Sequence, residues 1–500
     1  MAKRIVGIDA GGTMVKAAVF DCDGTEVGSA RRSNQVTYPA PGHTEIDPDD
    51  LWLSASAAVR SVLGATGTDP ADVIGVSATG HGNGLYAVDA NGRSVMPGIV
   101  STDSRAAAVG QEWQRDGLGE IARPVILQRF WAGQTLSLLG WFERHRPATL
   151  ERAAALFGSK DYVRARLAGE LSTDVTEAAV CGLADLTTGA YATRLFDRLG
   201  LGGVTARLPP IRPSLAVAGS VTAEAAAATG LREATPVVRG LTDVVACAIG
   251  SGVTSPYQMA IIAGTFSVNQ SLSRAARHDV APMLQMPYPI GGFFISAECS
   301  ATSASNLEWI CRTFLQSGVA SGPSVYDRCN GLVRQALSRP SSDILFLPFL
   351  FGGPGEAPSG LIGMTAAHDL ADVLRAVFEG IAFAHRLDID RLRQGGDAVP
   401  PGVGRLAGGA ARSDVWPQIF ADVLGFPIEV TDGTELGAKG AAMCVAVTLG
   451  LHADLGAAVA AMVRVVRRFQ PDPARQVEAE AKFARFTAMV AALTRHGSRR

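Results

Sequence analysis

Asp9 closes an apolar run, Val6-Gly7-Ile8-Asp9, where a carboxylate has no packing reason to stand, and Gly11-Gly12-Thr13 follows at once. A turn of this kind joins two strands and presents free backbone N–H groups and a hydroxyl, the chemistry that holds phosphate. Met259 to Gln270 echoes the phrase with Ala263-Gly264-Thr265-Phe266-Ser267. Two such hairpins, one in each half, would grip one nucleotide from both sides. Mg²⁺ takes one or two carboxylates together with waters and phosphate oxygens, so Asp9 suits a hydrated ion, and Lys16 offers a cation to a phosphoryl group. A plain β-turn fits the same residues. The chain has no Gly-Lys dipeptide, which excludes a Walker A loop.

Asp243, in Arg239-Gly240-Leu241-Thr242-Asp243, precedes a run of small and apolar residues that reads as a buried helix over Val244 to Gly250. There it is either an N-cap or a carboxylate kept ionised by the helix terminus to accept a hydroxyl proton. Two further helix starts, Leu406 to Asp414 and Thr434 to Ala442, are built of small residues. They either let a flat ring approach the backbone or serve helix packing.

The elements that must position these residues follow from periodicity. Arg4 to Phe20 is a hairpin, Asp49 to Leu63 an amphipathic helix started by Asp47-Pro48, and Val73 to Ala78 a buried strand before a glycine-rich turn, Thr79 to Gly84. Helical patterns cover Ser104 to Arg115 and Gln134 to His145. A polar loop is expected over Gly169 to Ala178 and a turn over Leu208 to Pro213. A second α/β block opens near Val237 and contains the longest helical pattern, Asp369 to Arg393. Phe351 to Gly363 and Gly395 to Gly404 read as loops, Val415 to Leu424 as a helix with Trp416 and Phe420 in the core, and Asp472 to Arg500 as a charged outer helix.

At 500 residues, 47% hydrophobic and 18% charged, the chain exceeds one core and reads as two large domains, 1–245 and 246–500. A formal charge of −2 without long like-charge runs gives no nucleic-acid or anionic-membrane surface. Seven cysteines without metal-ligand spacing read as buried small hydrophobes in a reducing compartment. No apolar stretch is long enough to span a bilayer, so a cytoplasmic protein with a small ligand is expected. Five lysines among 45 basic residues make each lysine inside a motif a candidate for its compact charge, Lys16, Lys160 and Lys439 among them.

The order of motifs (hairpin, acidic turn, second hairpin, Gly-Gly helix start, Glu-x-Gly-Ala helix start) resembles the FGGY family of sugar kinases, relatives of actin, hexokinase and the heat-shock chaperone ATPases. The resemblance spans nearly the whole chain. It implies an α/β fold of two actin-like, ribonuclease H-like ATPase domains with an interdomain active-site cleft, and an ATP- and Mg²⁺-dependent phosphotransferase. By it, Asp9, Gly12, Thr13 and Lys16 match the first phosphate motif, Gly264, Thr265 and Ser267 the second, and Gly408, Gly409, Ser413 and Gln418 the adenosine motif. Asp243 falls on the catalytic base and, with Asp9, on the metal site. His81, Asn83, Asp103, Arg105 and Thr242 fall on sugar-binding positions. His81 also fits a loop histidine without a role. Glu379 to Phe383 resembles the helix of the family's C-terminal pattern, and a homodimer is the usual family arrangement.

Many members have Gln-x-His-Gly in the sugar loop and a tryptophan two residues before the aspartate, where this chain has Gly82-Asn83-Gly84 and Ser101. Its Gly11-Gly12-Thr13 and His81-Gly-Asn-Gly-Leu look closest to L-xylulose (3-keto-L-gulonate) kinases, with D-xylulose, ribulose, erythritol and glycerol as other acceptors. A sugar sensor on the same fold would be expected to lack Asp9 or Asp243.

Overall fold

The computed structural model describes residues 3–278, 282–315, 324–394 and 399–497. The chain divides into two compact units: Met1–Thr254 with Ser273–Ser296 and Gly433–Val463, and Ser255–Leu272 with Ala297–Asp432 and Arg464–Arg500.

The first unit is built on a six-stranded sheet. Its strands are β1 (Arg4–Ala10), β2 (Met14–Asp21), β3 (Glu26–Ser33), β4 (Val73–Gly80), β5 (Val217–Ser220) and β6 (Pro236–Val238), in the order β5-β6-β4-β1-β2-β3. The hairpin β1/β2 is antiparallel, whereas β4 runs parallel to both β1 and β6. Nearly continuous burial of β1, β2 and β4 explains their apolar runs, since a sheet covered on both faces needs no alternation. Helix α1 (Pro48–Thr66) covers one face. Asp47 caps its first turn, with Pro48 as the first helical residue, and Gly67 in the left-handed region ends it.

The second unit repeats the plan. Its hairpin is β7 (Gln258–Ala263) and β8 (Ser267–Ser273); after β9 (Leu284–Pro287), which lies in the Ser273–Ser296 segment of the first unit, come β10 (Phe294–Ser300), β11 (Val403–Gly408), β12 (Ile428–Thr431) and β13 (Val465–Phe469). In the second unit the strand order is β10-β8-β7-β11-β12-β13, with β7, β11 and β12 parallel and the flanking pairs β7/β8 and β12/β13 antiparallel. The succession hairpin, two parallel strands and a closing antiparallel strand thus occurs twice.

The structure changes several sequence expectations. Residues 169–178 are not a polar loop: Thr173–Asp174 is a short strand and Val175–Val180 a helix, and Ser172, Thr173, Asp174, Thr176 and Glu177 are all buried. Thr176 Oγ donates to Asp174, Thr173 Oγ to Asp161, and Arg239 Nε to Ser172 Oγ, pairings that no periodicity reveals. Thr79 and Gly80 belong to β4, so the glycine-rich turn starts at His81; the helix predicted from Ser104 starts at Ala107. Ile211–Arg212 and Gly360–Ile362 form short strands within the expected turn and loop. Residues 395–398 of the loop expected over 395–404, and 498–500 of the last helix, lie outside the described residues. Trp416 and Phe420 are core, as expected. Cys22, Cys247 and Cys299 are only partly buried. Among the described residues no helix is long and apolar enough to cross a membrane.

The small residues after Thr434 do serve packing. Helix α2 (Asp243–Gly250) crosses α3 (Leu436–Thr448) so closely that a Cβ on Gly250 would lie 2.0 Å from the Leu436 carbonyl oxygen, and one on Gly440 2.1 Å from that of Ala246. Gly440→Val should therefore lower unfolding stability by about 1–3 kcal/mol or more through overpacking. Gly64→Ala, on α1 with nothing within 4 Å, should raise it by about 0.5–1 kcal/mol. Urea midpoints of the two variants should move in opposite directions.

Candidate functional site

In the first unit, Asp9 lies next to the end of β1, opposite Lys16 on β2 and Thr79 on β4. Lys16 Nζ is 3.4 Å from a carboxylate oxygen of Glu435, a buried residue just before α3, and Arg31 Nε donates to the other at 2.9 Å. Burial pushes the Asp9 carboxyl up; Lys16 opposes this and Glu435 adds to it. For Lys16, burial works against the charge, yet the Asp9 and Glu435 carboxylates outweigh it and hold its pKa above the ordinary value. Gly437 keeps this corner open, since a Cβ there would sit 2.9 Å from Asp9 Oδ2.

Asp243 is the first helical residue of α2. The N-cap is Thr242, whose side chain makes no capping bond, so the capping reading of Asp243 does not hold. Its Oδ1 accepts from the N–H of Val244 at 2.7 Å and of Gly82 at 3.4 Å. Burial first, and the charge of Asp9 second, push its pKa up to about 7, against the pull of those N–H groups. A carboxylate tuned to that range exchanges a proton readily near neutrality.

The loop after β4 packs beside this pair. His81 N donates to the Ala10 carbonyl at 3.1 Å, and its imidazole edge lies 3.7 Å from where a Gly12 Cβ would be. Its Nε2 pairs with the Tyr86 hydroxyl at 3.2 Å, while Nδ1 is buried without a hydrogen-bond partner among the described residues. Burial lowers its pKa to about 4, against the opposing pull of the Gly82 backbone, so the ring is neutral. Asn83 is held at φ 66°, in the left-handed region that asparagine tolerates, with its Oδ1 accepting from Thr135 N at 3.3 Å. Asp103 and Arg105 pair with each other: Arg105 Nε and Nη2 donate to the Asp103 carboxylate at 2.9 Å and Thr44 N donates to it at 2.6 Å, while Arg105 Nη1 is buried without a hydrogen-bond partner among the described residues. Arg105 also pairs with Glu45 and stacks on Trp141. Thr242 is fully buried.

In the second unit the turn between β7 and β8 carries Gly264 and Thr265. Gly408 ends β11 at φ 84° and approaches so closely that a Cβ would lie 2.6 Å from the Ala263 carbonyl oxygen and 2.9 Å from Gly264 N. Gly409 follows, so four of the predicted nucleotide residues lie together. Ser267 does not join them: its buried hydroxyl pairs with His385 Nδ1 at 3.1 Å and accepts from Asn269 at 2.9 Å. Ser413 Oγ donates to Asn330 and accepts from Val415 N and Trp416 N, and Gln418 Nε2 donates to Asp422 and to the Gln470 carbonyl. A cavity of about 280 Å³ opens beside the turn, lined by Thr265, Phe266, Ser305, Trp309, Arg312 and Phe351. Ser305, Trp309 and Arg312 lie on the helical segments Ala304–Ile310 and Cys311–Leu315 and belong to no motif read from the sequence. Among the described residues no three His, Cys, Asp or Glu side chains converge on a metal position.

Residues 4–250 match the N-terminal domain of the FGGY family of carbohydrate kinases, and residues 259–449 its C-terminal domain. The chain belongs to this family. It is 33% identical over 496 residues to the L-xylulose/3-keto-L-gulonate kinase of Escherichia coli (strain K12), across 99% of this chain and 98% of that one. The solved xylulose kinase of Rhodospirillum rubrum matches with a TM-score of 0.85 at 27% identity, covering 99% of this chain and 100% of its own. A Plasmodium falciparum glycerol kinase solved with ADP shares the fold, with a TM-score of 0.82 at 16% identity and coverage of 98% of each chain. The protein is thus an ATP-using sugar kinase, a phosphotransferase with an alcohol acceptor.

A raised carboxyl pKa in this FGGY kinase has a cost. A group whose folded pKa lies above its unfolded value gives stability that is complete below the unfolded value of 3.8 and lost as pH rises through about 7. In metal-free, ligand-free buffer, Asp243→Asn should be more stable than wild type at pH 8, by about 1–3 kcal/mol. That advantage should close below pH ~4, a crossover that thermal melts over the pH series would show.

Proposed function

We propose that this kinase transfers the γ-phosphoryl group of ATP to a terminal hydroxyl of a ketopentose or its acidic relative, L-xylulose or 3-keto-L-gulonate. The observation that carries the chemistry is Asp243, a carboxylate at a helix start with its pKa near neutrality, next to Asp9 and the His81 loop. Asp243 takes the proton of the acceptor hydroxyl as its oxygen attacks the γ-phosphorus, and the bond to the bridging β,γ-oxygen breaks to release ADP. His81 Nδ1 and Asn83 hold the sugar. The turns at Gly12-Thr13 and Gly264-Thr265 hold phosphate, Lys16 offsets its charge, and Gly408 and Gly409 bring the adenosine close to the backbone.

Two carboxylates, Asp9 and Asp243, with Asp9 raising the pKa of Asp243, fit the small anionic donor set that Mg²⁺ takes alongside water and phosphate. Bound there, the ion would neutralise charge on the phosphate oxygens. The substrate reading rests on the full-length similarity to the Escherichia coli enzyme and on the Gly-Gly turn and His-Gly-Asn-Gly loop.

A coupled ADP-release assay over L-xylulose, 3-keto-L-gulonate, D-xylulose, L- and D-ribulose, erythritol and glycerol should single out one of the first two by kcat/KM; a glycerol or D-xylulose optimum would overturn the substrate assignment. Asp243→Asn should keep ATP binding and lose about 100- to 10,000-fold in kcat. His81→Ala should raise the KM for sugar more than that for ATP, whereas an equal rise would remove His81 from the sugar site.

A further inference from the structure

The peptide group joining Leu241 to Thr242, immediately before Asp243, is held at both ends by threonine hydroxyls from two other elements. Thr79 Oγ, on β4, donates to the Leu241 carbonyl oxygen at 2.7 Å. The N–H of Thr242, at the other end of the same plane, donates to Thr176 Oγ at 3.1 Å. A hydroxyl has one proton, and Thr176 gives its own to Asp174 Oδ2 at 2.7 Å, which leaves its lone pairs for Thr242. Asp174 is fixed in turn. It caps Thr176 N and Glu177 N, accepts from Ser214 Oγ at 2.9 Å, and lies 3.5 Å from Lys160 Nζ, which also donates to Asp161 at 2.6 Å. Lys160, Asp161 and Asp174 are wholly buried.

Nothing else from the Thr242 side chain holds this turn, since its own hydroxyl is buried without a hydrogen-bond partner among the described residues and caps nothing. Rotation of one peptide plane would swing the first residue of α2, and with it the Asp243 carboxylate. The upstream residues are pinned as well, Arg239 N to the Ala216 carbonyl and Gly240 N to that of Ser214. The two hydroxyls therefore hold the Leu241–Thr242 peptide between this anchored turn and the first turn of α2, where Ala246 N donates to the Thr242 carbonyl at 2.9 Å.

We propose that Thr79 and Thr176 form a clamp on the Leu241–Thr242 peptide that positions Asp243 for proton transfer, with Lys160 and Asp174 as the buried anchor of its Thr176 end. Both threonines are positioning residues, and the assignment rests on the reading of Asp243 as the base. Thr176→Val keeps the shape while removing both hydrogen bonds.

The test is steady-state kinetics of Thr176→Val, Thr176→Ser, Thr79→Val and Asp243→Asn, and of Thr176→Val combined with Asp243→Asn, with thermal melts of each. Thr176→Val should lower kcat about 10- to 100-fold while both KM values stay within about threefold. Thr176→Ser should recover most of the rate. In the Asp243→Asn background the valine should change kcat by less than about twofold, because the group it positions is gone. Wild-type kcat in Thr176→Val, or a loss that multiplies with Asp243→Asn, would overturn the clamp. Near-normal turnover of Asp243→Asn alone would instead overturn the base assignment. If Thr176→Val does not fold, Thr79→Val decides by the same criteria from the other end of the peptide.

Discussion

Everything at this site follows from burying negative charge. Asp9 and Asp243 both lie where burial favours the neutral acid, and Asp9 makes Asp243 harder to ionise. Left alone, such a pair would neutralise. The chain opposes this with Lys16 on the neighbouring strand and with the N–H groups of Val244 and Gly82. Glu435 in turn balances Lys16 and Arg31. Asp243 therefore rests near neutrality rather than far above it, the condition for a group that must both hold and release a proton.

Glycines are the second consequence. A carboxylate or a second backbone can come this close only where no side chain intervenes: Gly437 admits the Asp9 carboxylate, and Gly440 against Ala246 and Gly250 against Leu436 let two helix backbones meet. The Glu-Leu-Gly-Ala-Lys-Gly phrase thus joins packing to site geometry. Its acid steadies Lys16, and its glycines let α3 lie on α2, the helix that Asp243 begins. Of the two readings that these small residues allow in the sequence, helix packing is the one that their close contacts carry.

The hairpins, the Asp243 helix and the long helix at Leu370–Leu392 were legible because each is declared locally, by an apolar period and a turn or cap. The family followed from the order of such signals. Side-chain direction was not legible. Ser267, Ser413 and Gln418 occupy the expected stretches of chain, but their polar atoms turn to His385, Asn330 and Asp422, partners 118, 83 and 4 residues away. Asp103 and Arg105 likewise answer each other. A motif fixes which backbone passes a site and leaves open which polar atoms are already engaged.

The stretch over 169–178 shows the same limit in reverse. Its serine, threonines and acids read as a solvated loop because polar residues usually are one. They are buried because Lys160, itself without any exposed surface, is kept charged by Asp161 and Asp174, which outweigh the burial that opposes its charge. Such buried ion clusters are poor sources of net stability, since desolvation consumes much of what the pairing returns. What they do supply is a fixed geometry, because each partner has only one arrangement that leaves no charge unpaired. A cluster of this kind, one hydroxyl away from the peptide that precedes Asp243, is better accounted for by the position it imposes than by the energy it adds.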